Sequence, residues 1–297
     1  MLRKIWLSII VALVLFGLPT RSSVIAQSEL TGTWTGSVNK GEGDKINLHL
    51  EYRTEKGHQN QNGQSYNFTD LQGLSSEQVT NGGSVRFSLV REAGRIDFEG
   101  SFQGGKGSGT FTFSGNQAFV SAMKTRGFDF SSSNNEGESQ NRLFAATTLN
   151  VTTALADDLA SGGFGKLQTE DLFKAAIFKV DSNFMREMKA SGFPNLTMED
   201  LVKARIFKID AGFVTQVTQL GFDKEPFESL VKMRIFKVTP EFVTEVRNEG
   251  LTNLTVEDIV KMRIFKIDSE FIREAKAEGT PLEVERLVQK KLGVGHN

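Results

Sequence analysis

Three histidines, His49, His58 and His296, and no cysteine are the chain's soft-ligand inventory. No two of the histidines have the short spacing that sets imidazoles side by side on a metal. No metal or other cofactor is expected. Gly100, Gly105 and Lys106 nearly match a phosphate-binding loop, but Gly107 stands where Ser or Thr is required. The run lies between two alternating segments and does not open a helix, so a hairpin turn is expected there. No Gly-x-Ser-x-Gly occurs. The carboxylates fall at helix starts, where capping accounts for them, and no convergent acid–base pair can be named. No catalytic residue is assigned, and an enzyme, such as a hydrolase, is the reading least supported.

The chemistry that remains is periodic charge. Lys174, Lys203, Lys232 and Lys261 recur every 29 residues. Arg205, Arg234 and Arg263 form a second row, with Ala176 at the same place one period earlier, and Lys179, Lys208, Lys237 and Lys266 form a third. At about 100° per residue the arginines lie near the apolar face, so their stems should be partly buried and their heads should reach acids or helix-end carbonyls. The Lys203, Lys232 and Lys261 row points elsewhere and is the candidate partner-binding stripe. Internal pairing competes with that reading, since residues 170–279 hold 17 basic and 19 acidic side chains.

These rows need elements to carry them. Phe178, Phe207, Phe236 and Phe265 share a register, as do Phe184, Phe213, Phe242 and Phe271, and Gly192, Gly221, Gly250 and Gly279. Such self-similarity marks stacked supersecondary units. Each unit reads as two short helices. Thr255 caps the first kind; Asp181, Asp210, Thr239 and Asp268 cap the second, which ends at the glycine. Both phenylalanine rows are expected in the core. The pattern continues upstream through Gly163 and, after a polar 131–140 surplus, Gly127. Residues 282–292 leave the period and should cap the stack. Regular repeats cover 168–279 and the cap 280–297, within a helical domain over 116–297.

Residues 27–115 alternate with period two instead: Ile46, Leu48, Leu50 and Tyr52, then Val85, Phe87 and Leu89, then Phe111 and Phe113. About six strands with one dry face imply an antiparallel meander, curled into a small barrel or half-barrel. Turns are expected at 41–43, 60–63, 81–83, 93–94 and 104–107, and 57–64 should be a polar loop. Gly32-Thr33-Trp34 is similar to the Gly-x-Trp of lipocalin-like barrels, although an aromatic plug fits it better. The class is therefore α+β: a β-meander followed by an α-helical solenoid of 29-residue two-helix repeats.

Arg3 and Lys4 precede a 14-residue run, 5–18, that is apolar but for Ser8. Val24-Ile25-Ala26 follows, so residues 1–26 read as a signal peptide cleaved after Ala26. The run falls short of the roughly 18–20 residues that span a bilayer, so no stable membrane span is expected after cleavage. Cleavage removes Arg3, Lys4 and Arg21 and no acid, leaving 32 basic and 36 acidic residues. That balance gives no general affinity for nucleic acid. A periplasmic or secreted chain without cysteine must rest its stability on burial.

Leu71-Gln72-Gly73-Leu74-Ser75, Val85-Arg86-Phe87, Phe98-Glu99-Gly100 and the 107–113 run, followed by helical units, resemble an uncharacterised sheet-plus-repeat region of bacterial exported proteins. The same region stands behind some antibiotic-sensor-type membrane metallopeptidases. The resemblance implies an extracytoplasmic sensing or docking role. The peptidase's His-Glu-x-x-His is absent here. The expected function is a non-catalytic interaction, docking or sensing protein that meets an envelope or extracellular protein through its helical surface. The alternative is a small-ligand carrier using a sheet interior lined by Trp34, Phe87 and Phe98.

Overall fold

The computed structural model describes residues 30–38, 45–54, 57–131 and 136–294. The expected signal segment with cleavage after Ala26, the expected 41–43 turn and His296 lie outside the described residues.

Seven antiparallel strands form one sheet. They are β1 (Leu30–Ser37), β2 (Lys45–Arg53), β3 (Gln59–Asn67), β4 (Leu71–Gln72), β5 (Gly83–Arg91), β6 (Gly94–Gln103) and β7 (Lys106–Gly115). Their order is β3-β2-β1-β7-β6-β5-β4, a half-barrel in which β1 lies between β2 and β7. The alternation seen in the sequence is the alternation of burial: Ile46, Leu48 and Leu50 are sealed while Asn47 and His49 reach solvent. The turn at Gly104 and Gly105 joins β6 to β7, so the phosphate-loop lookalike is a hairpin.

Two local expectations are overturned. Residues 59–64 are strand, not loop: β3 pairs along its length with β2, and the expected turn at 60–63 lies inside it. Its Asn and Gln side chains hide it because it is an edge strand, where polar residues discourage further pairing. A helix also interrupts the meander, α1 (Ser76–Asn81), opened by a capping box between Ser75 and Gln78.

Trp34 closes the interior. Its indole packs against Phe87 and Phe102, each with ring centroids 5.4 Å away, and its N–H donates to the Glu99 carbonyl at 3.1 Å. Gly100 makes the room, since a Cβ there would stand 2.7 Å from the indole. Trp34 and Phe98 are both about 1 % exposed, so the residues proposed to line a cavity fill it instead.

Helices follow without a linker. Asn116 caps α2 (Gln117–Thr125) directly after β7. Then come α3 (Glu136–Leu149) and α4 (Thr153–Ser161). Part of the supposed 131–140 surplus is therefore the first turn of α3. The regular units follow as α5 (Thr169–Phe178) with α6 (Ser182–Ala190), α7 (Met198–Phe207) with α8 (Ala211–Gln219), and α9 (Phe227–Ile235) with α10 (Pro240–Asn248). The last are α11 (Val256–Ile264) with α12 (Ser269–Ala277), then α13 (Val284–Leu292). First helices stack in one column, α3 on α5 and onward to α13. Second helices pack more loosely, with α4 between α2 and α6 and α10 against α12.

The sheet stands at the head of the first column. Phe144 of α3 stacks on Phe111 at 5.5 Å and meets Tyr52 edge-on at 4.8 Å. Asn62 and Tyr66 of β3 donate to Thr148 on the same helix. One continuous apolar cluster therefore runs from sheet to array.

Candidate docking surface on the helical array

Both helices of each regular unit stop in the same way. After a second helix, Gly192, Gly221, Gly250 or Gly279 turns left-handed, and the next N–H bonds back into the helix. After a first helix the left-handed residue is Lys179, Lys208, Lys237 or Lys266, with φ between 53° and 57°. The bond back is the same: Ile209 N–H donates to the Ala204 carbonyl at 2.8 Å. A non-glycine side chain in this conformation costs roughly 1–2 kcal/mol. All four lysines are exposed, and their side chains make no hydrogen bond or ion pair among the described residues.

Two positions earlier lies a further row with the same period. Ile177, Ile206, Ile235 and Ile264 are 51, 52, 48 and 49 % exposed. Leu292 of α13 extends the row at 55 %. The other large apolar side chains left comparably open among the described residues are Val90 and Val294. The signal was in the sequence, since these isoleucines keep the 29-residue period. Each stands directly before a phenylalanine of the repeating row, so local hydropathy does not separate them from the core.

The structure grades those phenylalanines. Phe184, Phe213 and Phe242 are buried, whereas Phe271 at the end of their row and Phe178, Phe207, Phe236 and Phe265 are half-buried supports, short of the core expected for both rows. The expectation that Phe207 and Phe236 are core residues is corrected. Ile209 and Val238, which follow the turn, occupy the core instead.

The Lys203, Lys232 and Lys261 row is not a bare line of charge. Lys174 pairs with Glu199, Lys203 with Glu228, Lys232 with Glu257, and Lys261 with Glu285, each bond crossing to the next first helix. Hydrogen bonds donated to the paired carboxylates raise the Lys174, Lys203 and Lys261 ammonium groups above the usual lysine range. Exposed pairs of this kind are worth roughly 0–1 kcal/mol each.

Arg234 and Arg263 are partly buried and reach helix-end carbonyls as their angle implies, whereas Arg205 is exposed and, among the described residues, keeps only the ring contact. Arg205, Arg234 and Arg263 lie over Phe184, Phe213 and Phe242 at 3.7, 3.7 and 4.8 Å from the ring centroids. Arg234 donates to the Lys208 carbonyl at 2.6 Å and Arg263 to that of Phe236 at 3.1 Å. Lys291 takes the arginine's place over Phe271.

Elsewhere, an open depression of about 590 Å³ lies on the wet side of the sheet, lined by Thr35, Asn47, His49, Ser65 and Lys106. His49 there faces Glu51 at 3.6 Å. Ser88 donates to Asp97 at 2.6 Å, but Arg95 grips that carboxylate with 2.8 and 2.9 Å bonds and also donates to the Ser88 oxygen. That triad clasps β5 to β6 and leaves no base free to activate the hydroxyl.

No family model, no curated protein and no solved structure matches the chain.

Proposed function

We propose that the protein is a non-catalytic docking or sensing protein that works outside the cytoplasm and meets an envelope or extracellular protein along its helical array. The carrying observation is the ridge of Ile177, Ile206, Ile235, Ile264 and Leu292, exposed at one register and bordered by Lys179, Lys208, Lys237 and Lys266. Exposed apolar groups in a line mark contact surfaces. Lysines kept in a conformation that glycine adopts more easily suggest that their charge is wanted there. The surface therefore suits a partner with apolar and acidic groups in line. The ridge takes over from the Lys203, Lys232 and Lys261 row, whose charge is spent between units.

The test compares wild type with an Ile206→Ser, Ile235→Ser variant and with a Lys208→Gly, Lys237→Gly variant. Cross-linking in the native envelope should give an adduct with wild type, and both variants should lose it with no fall in melting temperature, the glycine variant melting slightly higher as its left-handed turns relax. Equal adduct yields from all three would sink the docking role of the ridge.

A further inference from the structure

The array repeats a seam in which a guanidinium is held, and one copy of that seam is empty of its arginine. In the filled copies, an arginine of a first helix lies over a phenylalanine of the preceding second helix. In two of them it also donates to a carbonyl where the preceding first helix ends. One period before Arg205 and Phe184 stand Ala176 and Leu155. Arginine and aromatic platform are thus missing together. The structure has a cleft of about 240 Å³ at this place, lined among others by Leu149, Asn150, Leu155, Ala176, Lys179 and Asp181.

The correspondence is residue by residue. Two periods later, Leu149, Asn150, Leu155 and Ala176 become Phe207, Lys208, Phe213 and Arg234. The backbone is the same: Asn150 is left-handed with φ of 56°, as Lys208 is, and Val151 N–H bonds back to the Ala146 carbonyl at 2.9 Å as Ile209 does to Ala204. The Leu149 and Asn150 carbonyls therefore stand where those that receive Arg263 and Arg234 stand. They are at the C-terminal, negative end of α3. Asp181 adds a carboxylate at the lip, one oxygen of which already takes the Phe184 N–H at 2.8 Å. Lys179 at the rim does not bar a cation, because Lys208, Lys237 and Lys266 flank the filled seams in the same way.

We infer that the cleft between α3, α4 and α5 is a socket for an arginine side chain presented by a partner protein. A planar, weakly hydrated guanidinium can spread on Leu155 and fork to two carbonyls, which a compact and strongly hydrated ammonium cannot. The socket adjoins the ridge at Lys179 but is tested through Ala176, which the ridge does not use, so the two stand or fall separately.

The probes are N-acetylarginine amide and N-acetyllysine amide, titrated into ¹⁵N-labelled protein. Saturable shifts are expected at the Asn150, Ala176 and Val180 amides, at least fivefold weaker with the lysine probe. Ala176→Arg should supply the missing group from within, raise the melting temperature by about 2–4 °C and abolish the shifts. Ala176→Leu, which fills the space without a guanidinium, should also abolish them and covers the case in which the arginine variant folds poorly. The inference is overturned if neither probe shifts these amides, if both bind equally, or if the shifts survive in Ala176→Leu.

Discussion

Lysine in a left-handed turn is the most informative residue choice in the chain. Lys208 could be glycine without disturbing any bond described here, since what it gives Arg234 is a backbone carbonyl. Replacing it with glycine should relieve the strained φ and raise stability by about 0.5–1 kcal/mol. Chemical denaturation of Lys208→Gly reads this directly, and a loss of stability would mean that the lysine stem packs usefully. The same residue explains a limit of sequence reading. Second-helix ends were legible because Gly192 and its counterparts announce them. First-helix ends lack such a signal, because lysine takes the left-handed turn there, and nothing in the local pattern sets Ile206 at the surface apart from Ile209 in the core.

Helices and strands divide along a similar line. The 29-residue period and the alternation through Ile46–Leu50 and Phe111–Phe113 were readable because burial imposes them on residue type. β3 was not, because an edge strand takes its order from β2 and needs no apolar face. The arginine row was readable from its angle, whereas its aromatic partners lie in the preceding unit, beyond any local pattern. Burial also ranks the two phenylalanine rows. Phe213→Ala should cost about 3–5 kcal/mol, since it removes a core ring and the platform under Arg234. Phe207→Ala should cost distinctly less, and equal losses in thermal melts would contradict the grading. A pH effect belongs to this scale too. Asp158 of α4 accepts the Ser182 hydroxyl at 2.6 Å and its N–H at 2.8 Å, tying α4 to the start of α6. Those bonds hold its carboxyl below the usual aspartate range. With the folded value depressed, the contribution is complete above about pH 4 and is lost as pH falls through the folded value. The melting temperature gap between wild type and Asp158→Asn should therefore be widest near neutrality and close in acid. A gap independent of pH would show that charge on Asp158 is irrelevant.

At the scale of the molecule, the array lies between two different ends. The half-barrel covers α3, and α13 covers α11. Glu285 completes the last rung of the lysine–glutamate ladder, and Lys291 covers Phe271. A stack of like units has no internal reason to stop growing, because the surface each unit offers is the surface the next one fits. The two closures make that surface private. Truncation after Gly279 would bare the α11 face, including buried Met262 and Val260, and leave Lys261 without Glu285. Light scattering of the truncated chain should show association that rises with concentration, while the intact chain stays at constant mass over the same range. On that outcome α13, which takes the rung, ring and ridge positions of a further unit without offering a second helix of its own, is a chain terminator for a polymerisable geometry.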